Sequence, residues 1–275
     1  MRRLLCGLTA VCALVAVFSG QALPAGAVPP IPGKMASLGD SITRGFNACG
    51  WYADCTSRSW STGDYASVNS HYLRIKAKNA AITGFNYNDA VTGAKEADLN
   101  GQAQTAVSQG VSYVTILMGA NDACTSSEAA MTSVATYRSQ LDAALSTLKT
   151  GLPNAAVFIA SVPDIQRLWF IGKDNSSARS AWSGFGICQS MLANPQSTAQ
   201  ADVDRRARVR QRVVDFNAQI AAACTAYGSN CKTDGNAVFN YQFVLSQVSG
   251  WDYFHPNATG QQVLASVTYP AGFNW

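Results

Sequence analysis

Ser41 stands in a setting that suits a catalytic nucleophile. It lies in the stretch Gly39-Asp40-Ser41, directly after an apolar run that predicts a strand from Lys34 to Leu38. A serine hydroxyl attacks poorly at its ordinary pKa, so it needs a base within hydrogen-bond reach. The chain must also supply a group that orients the base and N–H donors for the oxyanion that develops. Asp40 is interpreted as part of the turn.

The chain contains two histidines, and only one of them lies in a setting typical of a catalytic base. His71 falls inside a predicted amphipathic helix, which favours a structural or surface role. His255 falls in a loop, three residues after Asp252 and before the last predicted helix. The Asp-x-x-His spacing lets a carboxylate bind one ring nitrogen and stabilise the imidazolium that forms. We therefore expect His255 to be the base and Asp252 to orient it.

Two further residues lie where a predicted strand ends. Gly93 closes a turn after a strand candidate at 81–87, and Asn121 follows the clearest buried strand, at 111–118. Ser41 stands in the same position after the first predicted strand. The carboxyl ends of parallel strands lie at one edge of a sheet, where ligands bind. We therefore expect Ser41, Gly93 and Asn121 to meet in one cleft.

Predicted strands and helices alternate along the chain. The strands fall at 34–38, 81–87, 111–118, 155–161 and 237–239, and the helices at 64–78, 94–108, 127–149, 201–227 and 257–267. This alternation predicts right-handed βαβ crossovers and an α/β fold of three layers, with helices on both faces of a mainly parallel sheet. Residues 164–199 show no clear periodicity and are expected to be irregular.

Four short blocks resemble the SGNH (GDSL) hydrolase superfamily. They are Gly-Asp-Ser-Ile from Gly39, the isolated Gly93, Gly-x-Asn-Asp from Gly119 and Asp-x-x-His from Asp252. They occur in this order across nearly the whole chain that follows the leader described below. The resemblance implies the flavodoxin-like sheet of that superfamily and hydrolysis of carboxylic esters. Asp122, which ends the third block, is interpreted as structural.

The same resemblance implies a role for each matching residue. Ser41 corresponds to the nucleophile, His255 to the base and Asp252 to the acid that orients it. The backbone amides of Ser41 and Gly93 and the side-chain amide of Asn121 correspond to the oxyanion hole. Asp252 is the least fixed of these roles, since some members of the superfamily orient the base with a backbone carbonyl. No Gly-x-Ser-x-Gly elbow surrounds Ser41, so the resemblance is not to the α/β-hydrolase fold.

The N-terminus has the pattern of a secretory signal peptide. Arg2-Arg3 precedes an apolar run at 4–18, and Ala25-Gly26-Ala27 fits the small-x-small cleavage rule. A membrane anchor is the alternative, but the apolar run of about 15 residues is shorter than the roughly 20 that a spanning helix needs. We expect residues 1–27 to be removed, residues 28–275 to form a single catalytic domain, and the protein to be secreted.

The cysteine count indicates an oxidising compartment. Six cysteines follow the predicted leader: Cys49, Cys55, Cys124, Cys188, Cys224 and Cys231. An even number in an exported chain predicts disulfide bonds, for which 15 pairings exist. Spacing favours bridges from 49 to 55 and from 224 to 231, which leaves 124 to pair with 188. A zinc site is the rival interpretation, but the absence of a Cys-x-x-Cys pair and the scarcity of histidine argue against any metal.

Composition excludes some classes of protein and partner. Hydrophobic residues make up 48% of the chain and charged residues 13%, which suits a large core and not a disordered segment. The formal net charge of +4 falls to +2 without Arg2 and Arg3, which argues against a nucleic-acid partner. We expect no cofactor, a monomeric chain, and a small-molecule or lipid ester as the substrate.

Several short segments are similar to the secreted, phospholipase B-like branch of the superfamily. They are residues 58–63, the segment from Gly119 to Cys124, residues 161–164 and Cys188. This resemblance implies that the enzyme hydrolyses acyl esters of lipids, with phospholipids among the candidate substrates.

Two features bear on a lipid substrate, and each has a second interpretation. Four aromatic residues in the irregular region either wall an acyl pocket or anchor a long loop to the core: Trp169, Phe170, Trp182 and Phe185. Five arginines in one predicted helix either meet an anionic lipid surface or form a solvated face among aspartates: Arg205, Arg206, Arg208, Arg210 and Arg212.

Two other functions stay open at this point. A carbohydrate O-acetylesterase would use the same residues with a shallow polar cleft in place of an apolar trough. A secreted binding protein on an inactive scaffold is the second, and the intact set of Ser41, Gly93, Asn121 and His255 argues against it.

Overall fold

A five-stranded parallel sheet forms the centre of the part of the chain described by the computed structural model, residues 29–275. Its strands are β1 (Met35–Gly39), β2 (Asn86–Asn88), β3 (Tyr113–Leu117), β4 (Ala156–Ile159) and β5 (Cys231–Thr233). The order is β2-β1-β3-β4-β5, and every neighbouring pair is parallel. This is the flavodoxin-like order, so the predicted α/β fold is confirmed. The predicted signal peptide at 1–27 lies outside the described residues.

Eleven α-helices occur within residues 29–275. They are α1 (Ser41–Arg44), α2 (His71–Lys76), α3 (Leu99–Gln109), α4 (Ala120–Ala123), α5 (Val134–Gly151), α6 (Ile165–Gly172), α7 (Ser176–Gly184), α8 (Gln189–Leu192), α9 (Gln200–Tyr227), α10 (Ala237–Asn240) and α11 (Ala258–Thr268). Short 3-10 turns lie at Thr56–Arg58, Ala80–Ile82, Glu96–Asp98, Glu128–Ala130, Leu245–Gln247 and Tyr269–Ala271.

The helices cover both faces of the sheet because the chain steps across it in both directions. The chain first moves from β1 to β2 at one edge of the sheet. It then crosses back past β1 to β3 and continues in that direction to β4 and β5. Right-handed crossovers then place their helices on opposite faces. Helices α3, α5 and α9 pack side by side in one layer, where Tyr137 stacks on Phe216 with ring centroids 4.1 Å apart. Both faces of β1, β3 and β4 are buried as a result, which explains their nearly continuous apolar sequences.

The buried layer formed by α2 and α11 contains the other histidine. His71 is fully buried, with Nδ1 2.9 Å from the Tyr113 hydroxyl and Nε2 2.8 Å from Thr268 Oγ1. Burial lowers the pKa of His71 to about 3, so its ring is neutral. His71 therefore joins two helices to the sheet, which is the structural role that its sequence position favours.

Two expectations about the elements are wrong. Residues 164–199 are not irregular, because they contain α6, α7 and α8. These helices are only 8, 9 and 4 residues long, too short to show a clear period, and the first two are capped by the side chains of Asp164 and Asn175. The predicted strand at 237–239 is helix α10, and the fifth strand is β5, three residues that follow a disulfide-bonded turn.

Several helix boundaries also differ from the predicted ones. The helix expected at 64–78 begins only at His71, where the Ser70 side chain accepts the Leu73 N–H. The helix expected from 127 begins at Val134, where the Ser133 side chain accepts the Thr136 N–H. Asp64 and Ser127 are capping residue types at the predicted starts, and Ser70 and Ser133 are the caps in the structure. The sequence therefore offers competing start signals, and tertiary packing selects among them.

Three disulfide bonds join the six cysteines of the described chain, in the pairs that spacing favours: Cys49–Cys55, Cys124–Cys188 and Cys224–Cys231. The first closes a loop after α1, the second joins the end of α4 to the start of α8, and the third joins α9 to β5. Across residues 29–275 no helix combines the length and apolar character needed to span a bilayer.

We predict that a chain beginning at Val28 has no free thiol when it is unfolded without reductant, because all six of its cysteines are paired. Titration with a chromogenic disulfide should give a signal only after reduction, and the reduced sample of the same protein is the positive control. Any stoichiometric thiol in the unreduced sample would contradict the pairing.

Candidate active site

The end of β1 holds Ser41 at the carboxyl edge of the sheet. Gly39 has a φ of +146°, and a Cβ there would lie 2.3 Å from the Leu117 carbonyl oxygen, so only glycine fits against β3. The Gln102 side chain of α3 binds both backbone groups of Gly39: it accepts the N–H over 2.7 Å and donates to the carbonyl over 2.9 Å. Asp40 then caps α1 by accepting the Ile42 N–H over 2.9 Å. Asp40 is therefore a turn residue, as its position indicates.

A continuous chain of hydrogen bonds joins Ser41, His255 and Asp252. His255 Nε2 lies 2.7 Å from Ser41 Oγ, and His255 Nδ1 lies 2.6 Å from Asp252 Oδ2. Burial opposes ionisation of Asp252, but its hydrogen bonds with His255 and with two backbone N–H groups hold its pKa below the usual value. An ionised Asp252 favours a proton on Nδ1 of the ring, which leaves Nε2 as the acceptor of a hydrogen bond from the Ser41 hydroxyl.

The loop that contains His255 is anchored at several points. The Trp182 indole N–H donates to the Tyr253 carbonyl over 2.9 Å, and the Ser249 N–H donates to the His255 carbonyl over 2.8 Å. The ring of His255 meets Phe46 and Phe254 edge to face, with centroids 4.9 and 5.0 Å away. Trp182 is buried and thus has the anchoring role that the sequence left open.

Gly93 and Asn121 lie at the ends of the two strands that flank β1. Gly93 has a φ of +86°, a left-handed conformation that glycine adopts without strain, in the turn after β2. Asn121 lies in α4, directly after β3, and its Nδ2 donates to the carbonyl of Ala94 over 2.9 Å. This bond ties the two blocks together. It uses one of the two N–H groups of the Asn121 amide, and the second is available to a ligand.

Three acidic residues lie beneath the site, each within three positions of a residue that the sequence assigns to it. Asp40 precedes Ser41, Glu96 follows Gly93, and Asp122 follows Asn121. All three are buried, and Asp122 accepts the Glu96 backbone N–H over 2.9 Å. Burial raises the pKa of Asp40 to about 7 and raises the pKa of Asp122, while burial and the charge of Asp122 raise that of Glu96 well above its usual value. Burial therefore favours the protonated form of Glu96.

An apolar cavity opens beside Ser41. Ile42 and Ala120, the neighbours of Ser41 and Asn121, line it on one side. Helix α6 lines it opposite, through Ile165, Leu168 and Ile171, and its volume is about 70 Å³. A single water-sized group needs about 10–15 Å³, so the cavity can hold a group several atoms long. The aliphatic residues of α6 form this wall, and the four aromatic residues that the sequence singled out do not line it.

A polar groove lies on the other side of the site, next to Gly93. Arg44 crosses its floor, donating to Asp54 and to the Asn88 carbonyl, each over 3.0 Å. The Thr92 hydroxyl donates to the same Asp54 carboxylate over 2.6 Å. The site therefore has one apolar and one polar flank.

The five arginines of α9 are engaged within the chain. Arg205 pairs with Asp202, Arg206 binds the Ser197 carbonyl and lies over the Trp169 ring, Arg208 pairs with Glu128, Arg210 pairs with Asp164, and Arg212 binds the Thr132 carbonyl. These contacts hold the loops on both sides of α9, so the arginine run has a structural use that its sequence pattern did not reveal. Among residues 29–275 no group of three or more His, Cys, Asp or Glu side chains is placed to hold a metal ion.

A parallel α/β sheet with a hydrogen-bonded Ser–His–Asp chain at its carboxyl edge is the architecture of a serine hydrolase. Comparison with family models matches the GDSL-like lipase/acylhydrolase family over residues 35–267. The chain therefore belongs to this family and is a carboxylic ester hydrolase.

Solved structures show a similar fold. An extracellular lipase from Streptomyces rimosus is 20% identical, with 86% of this chain and 99% of that chain covered and a TM-score of 0.52. A phospholipase A1 from Streptomyces albidoflavus is 16% identical, with coverage of 90% and 100% and a TM-score of 0.48. A family 3 carbohydrate esterase from Clostridium thermocellum is 14% identical, with coverage of 86% and 94% and a TM-score of 0.47. Among curated proteins, none matches the sequence.

We predict that Glu96→Gln stabilises the protein at alkaline pH. An acid whose pKa is raised by folding contributes stability that is fully present below its unfolded pKa, here 4.5, and lost as the pH rises toward the folded value. An amide of the same size removes this loss. We expect a Tm gain of at least about 2 °C at pH 8, and a smaller one at pH 5.

Glu128→Gln, at the chain's other glutamate, is the matched control. A hydrogen bond from Arg208 lowers the pKa of Glu128, so its contribution is present at alkaline pH and is lost as the pH falls. The control variant should gain no stability at pH 8. Equal Tm changes at pH 5 and pH 8 for Glu96→Gln would show that Glu96 is not held protonated by the fold.

Proposed function

We propose that this hydrolase is a secreted serine esterase or lipase that cleaves acyl esters of lipids, with Ser41 as nucleophile, His255 as base and Asp252 as the acid that orients it. The observation that carries the proposal is the hydrogen-bond chain with distances of 2.7 and 2.6 Å at the edge of a parallel sheet. Hydrogen bonds of this length between a nucleophile, a base and an acid are the signature of an activated serine.

The proposed reaction begins when Nε2 of His255 takes the proton of Ser41 as Oγ attacks the ester carbonyl carbon. The oxyanion that forms accepts hydrogen bonds from the backbone N–H of Ser41, the backbone N–H of Gly93 and the side-chain amide of Asn121. His255 then gives its proton to the leaving alkoxide, and the acyl group stays on Ser41. Water, deprotonated by His255, releases the acid in the same way. Asp252 stays ionised throughout and stabilises the imidazolium.

The two flanks of the site support a lipid ester as the substrate. The apolar cavity beside Ile42 and Ala120 is suited to the acyl chain, and its volume of about 70 Å³ exceeds what an acetyl methyl group needs. The polar groove beside Gly93 is suited to the alcohol part of the ester. Tyr52 and Phe185, both more than half exposed, stack with ring centroids 5.9 Å apart, and Tyr52 also packs on Phe46, the neighbour of the His255 ring. Exposed aromatic rings beside the site suit a lipid–water boundary.

A carbohydrate O-acetylesterase is the second candidate, and the polar groove is the observation that favours it. Asp54, Asn88 and Thr92 offer acceptors and donors for sugar hydroxyls. A non-catalytic binding protein has no comparable support, since a binding protein needs no aligned nucleophile and base. Secretion is supported by the three disulfide bonds and by the predicted signal peptide.

We predict that a panel of esters separates these functions. Wild-type protein should hydrolyse nitrophenyl esters with acyl chains of eight or more carbons faster than the acetyl ester, and should release fatty acid from diacylglycerol or phospholipid dispersions, because the cavity binds a long apolar group. Activity confined to acetylated polysaccharide would overturn the lipid assignment.

Ser41→Ala controls the same panel. It should lose turnover on every ester while retaining the wild-type Tm, since it removes the nucleophile and one small polar atom. Ser266→Ala, at an exposed serine of α11, is the matched variant and should keep full activity. Retained hydrolysis by Ser41→Ala would refute the mechanism.

We predict that Asn121→Ala lowers kcat by about 10²–10³, because it removes one donor to the oxyanion. Steady-state kinetics on a soluble ester measures the effect. Asn240→Ala, at an exposed asparagine that ends α10, is the matched control and should be close to wild type. Because Asn121 also binds Ala94, the Tm of each variant must be measured. A loss of less than about threefold would remove Asn121 from the oxyanion hole.

A further inference from the structure

We propose that Asn47 is a positioning residue for the Asp252–His255 pair, an inference that rests on the proposed serine mechanism. Asn47 lies two residues after Gly45, the residue that ends α1, and is 1% exposed. Its Nδ2 donates to Asp252 Oδ2 over 2.6 Å. That oxygen is the one that binds Nδ1 of His255. None of the sequence blocks includes Asn47.

The partners of the Asp252 carboxylate show why this bond matters. Oδ1 accepts the backbone N–H groups of Phe254 and His255, over 2.9 and 3.1 Å, and Oδ2 accepts Nδ1 of His255. These donors all belong to the loop of Asp252 itself. They fix the acid relative to the base, but none of them holds the carboxylate relative to Ser41. Within residues 29–275, Asn47 supplies the hydrogen bond to this carboxylate from outside the loop, and it comes from the segment that follows the nucleophile.

The backbone holds Asn47 firmly. Its φ of +65° is a left-handed conformation that asparagine tolerates better than most residues. Its N–H donates to the Ala53 carbonyl over 2.9 Å, and its own carbonyl accepts the Gly50 N–H over 3.2 Å. Both partners lie in the loop that the Cys49–Cys55 disulfide closes. The adjacent Phe46 packs against the His255 ring, so one turn contacts both the acid and the base.

The chemistry of an amide suits this task. A neutral N–H donor stabilises the Asp252 carboxylate without cancelling the charge that it presents to His255, whereas lysine or arginine would cancel it. The reversed amide would place Oδ1 against the carboxylate at 2.6 Å, so the orientation is set by repulsion. In the described chain Oδ1 of Asn47 is buried without a hydrogen-bond partner, which costs stability. Packing alone does not account for this buried amide, because an apolar side chain would avoid the cost, whereas the hydrogen bond to Asp252 does account for it.

The test compares Asn47→Gly with wild type on a soluble ester. Glycine removes the donor and keeps the left-handed backbone unstrained. We expect kcat to fall roughly 10–100-fold with KM within about twofold, because misplacement of the base slows the chemical step and not substrate binding. We also expect the acidic limb of the kcat/KM profile to move to higher pH, since Oδ2 loses a donor and presents more negative charge to the imidazolium.

Asn236→Gly is the matched control. Asn236 has nearly the same backbone conformation, with a φ of +68°, but it is exposed and lies after β5. It should leave kcat, KM and the pH profile unchanged. If Asn47→Gly behaves like this control, or if it raises KM alone, the positioning role is wrong.

Asn47→Ala keeps the proposal testable if the glycine variant does not fold. Alanine also removes the donor, and it loses less backbone entropy on folding than glycine does. The acidic limb should then move to higher pH as in Asn47→Gly, and the NMR signal of the His255 Nδ1 proton should shift in both variants. A wild-type pH profile in a folded Asn47→Ala protein would overturn the inference. Hydrolysis that survives in Ser41→Ala would instead refute the proposed function, so the two failures are distinguishable.

Discussion

The rest of this structure must hold His255 and Ser41 at hydrogen-bond distance from each other. Their hydrogen bond joins residues 214 positions apart over 2.7 Å, so two distant parts of the chain must be held to within a fraction of an ångström. On one side Gln102 binds the backbone N–H and carbonyl of Gly39, two residues before Ser41. On the other side Trp182 holds the histidine loop. Gln261 of α11 joins them, because it binds the Ile42 carbonyl and the Trp60 N–H. Each contact spans elements that lie far apart in sequence.

The long sequence separation of these contacts explains which parts of the structure could be predicted from the sequence. Signals that are local to the chain predicted their elements correctly, such as the apolar run of β3 and the long helical segment of α9. Their alternation was enough to predict a flavodoxin-like parallel sheet, which the structure and the family match confirm. What sequence reasoning missed depends on distant partners: Gln102 acts 63 residues away, and Asn47 acts 205 residues away. Neither residue has a local pattern that distinguishes it from an ordinary glutamine or asparagine.

The three buried acids beneath the site impose a second constraint, because negative charge there would oppose the charge that develops in the proposed reaction. An oxyanion is stabilised by donors, and a buried carboxylate nearby would work against it. Burial lessens this conflict at Glu96, because desolvation raises the pKa of its carboxyl and favours the neutral acid. Burial also raises the pKa of Asp40, to about 7, while its N-cap bond to Ile42 favours the charged form. The electrostatics of the turn at Ser41 therefore depend on burial against the sheet as well as on the residues that line the site.

The four sequence blocks and the segments between them have different roles in the site. The blocks end the strands and carry the groups that are proposed to act on the ester carbonyl, so they constrain the reaction and say little about the substrate. The apolar flank comes instead from α6, in the region 164–199 that lacks a clear sequence period, and the polar flank comes from Asp54 and its neighbours. Such segments can change in length and composition without moving Ser41, since they pack around the sheet edge and do not form it. Substrate choice in this protein is therefore a property of the connections, which is why four ordered motifs identify an ester hydrolase and leave the ester itself to be found from the shape of the site.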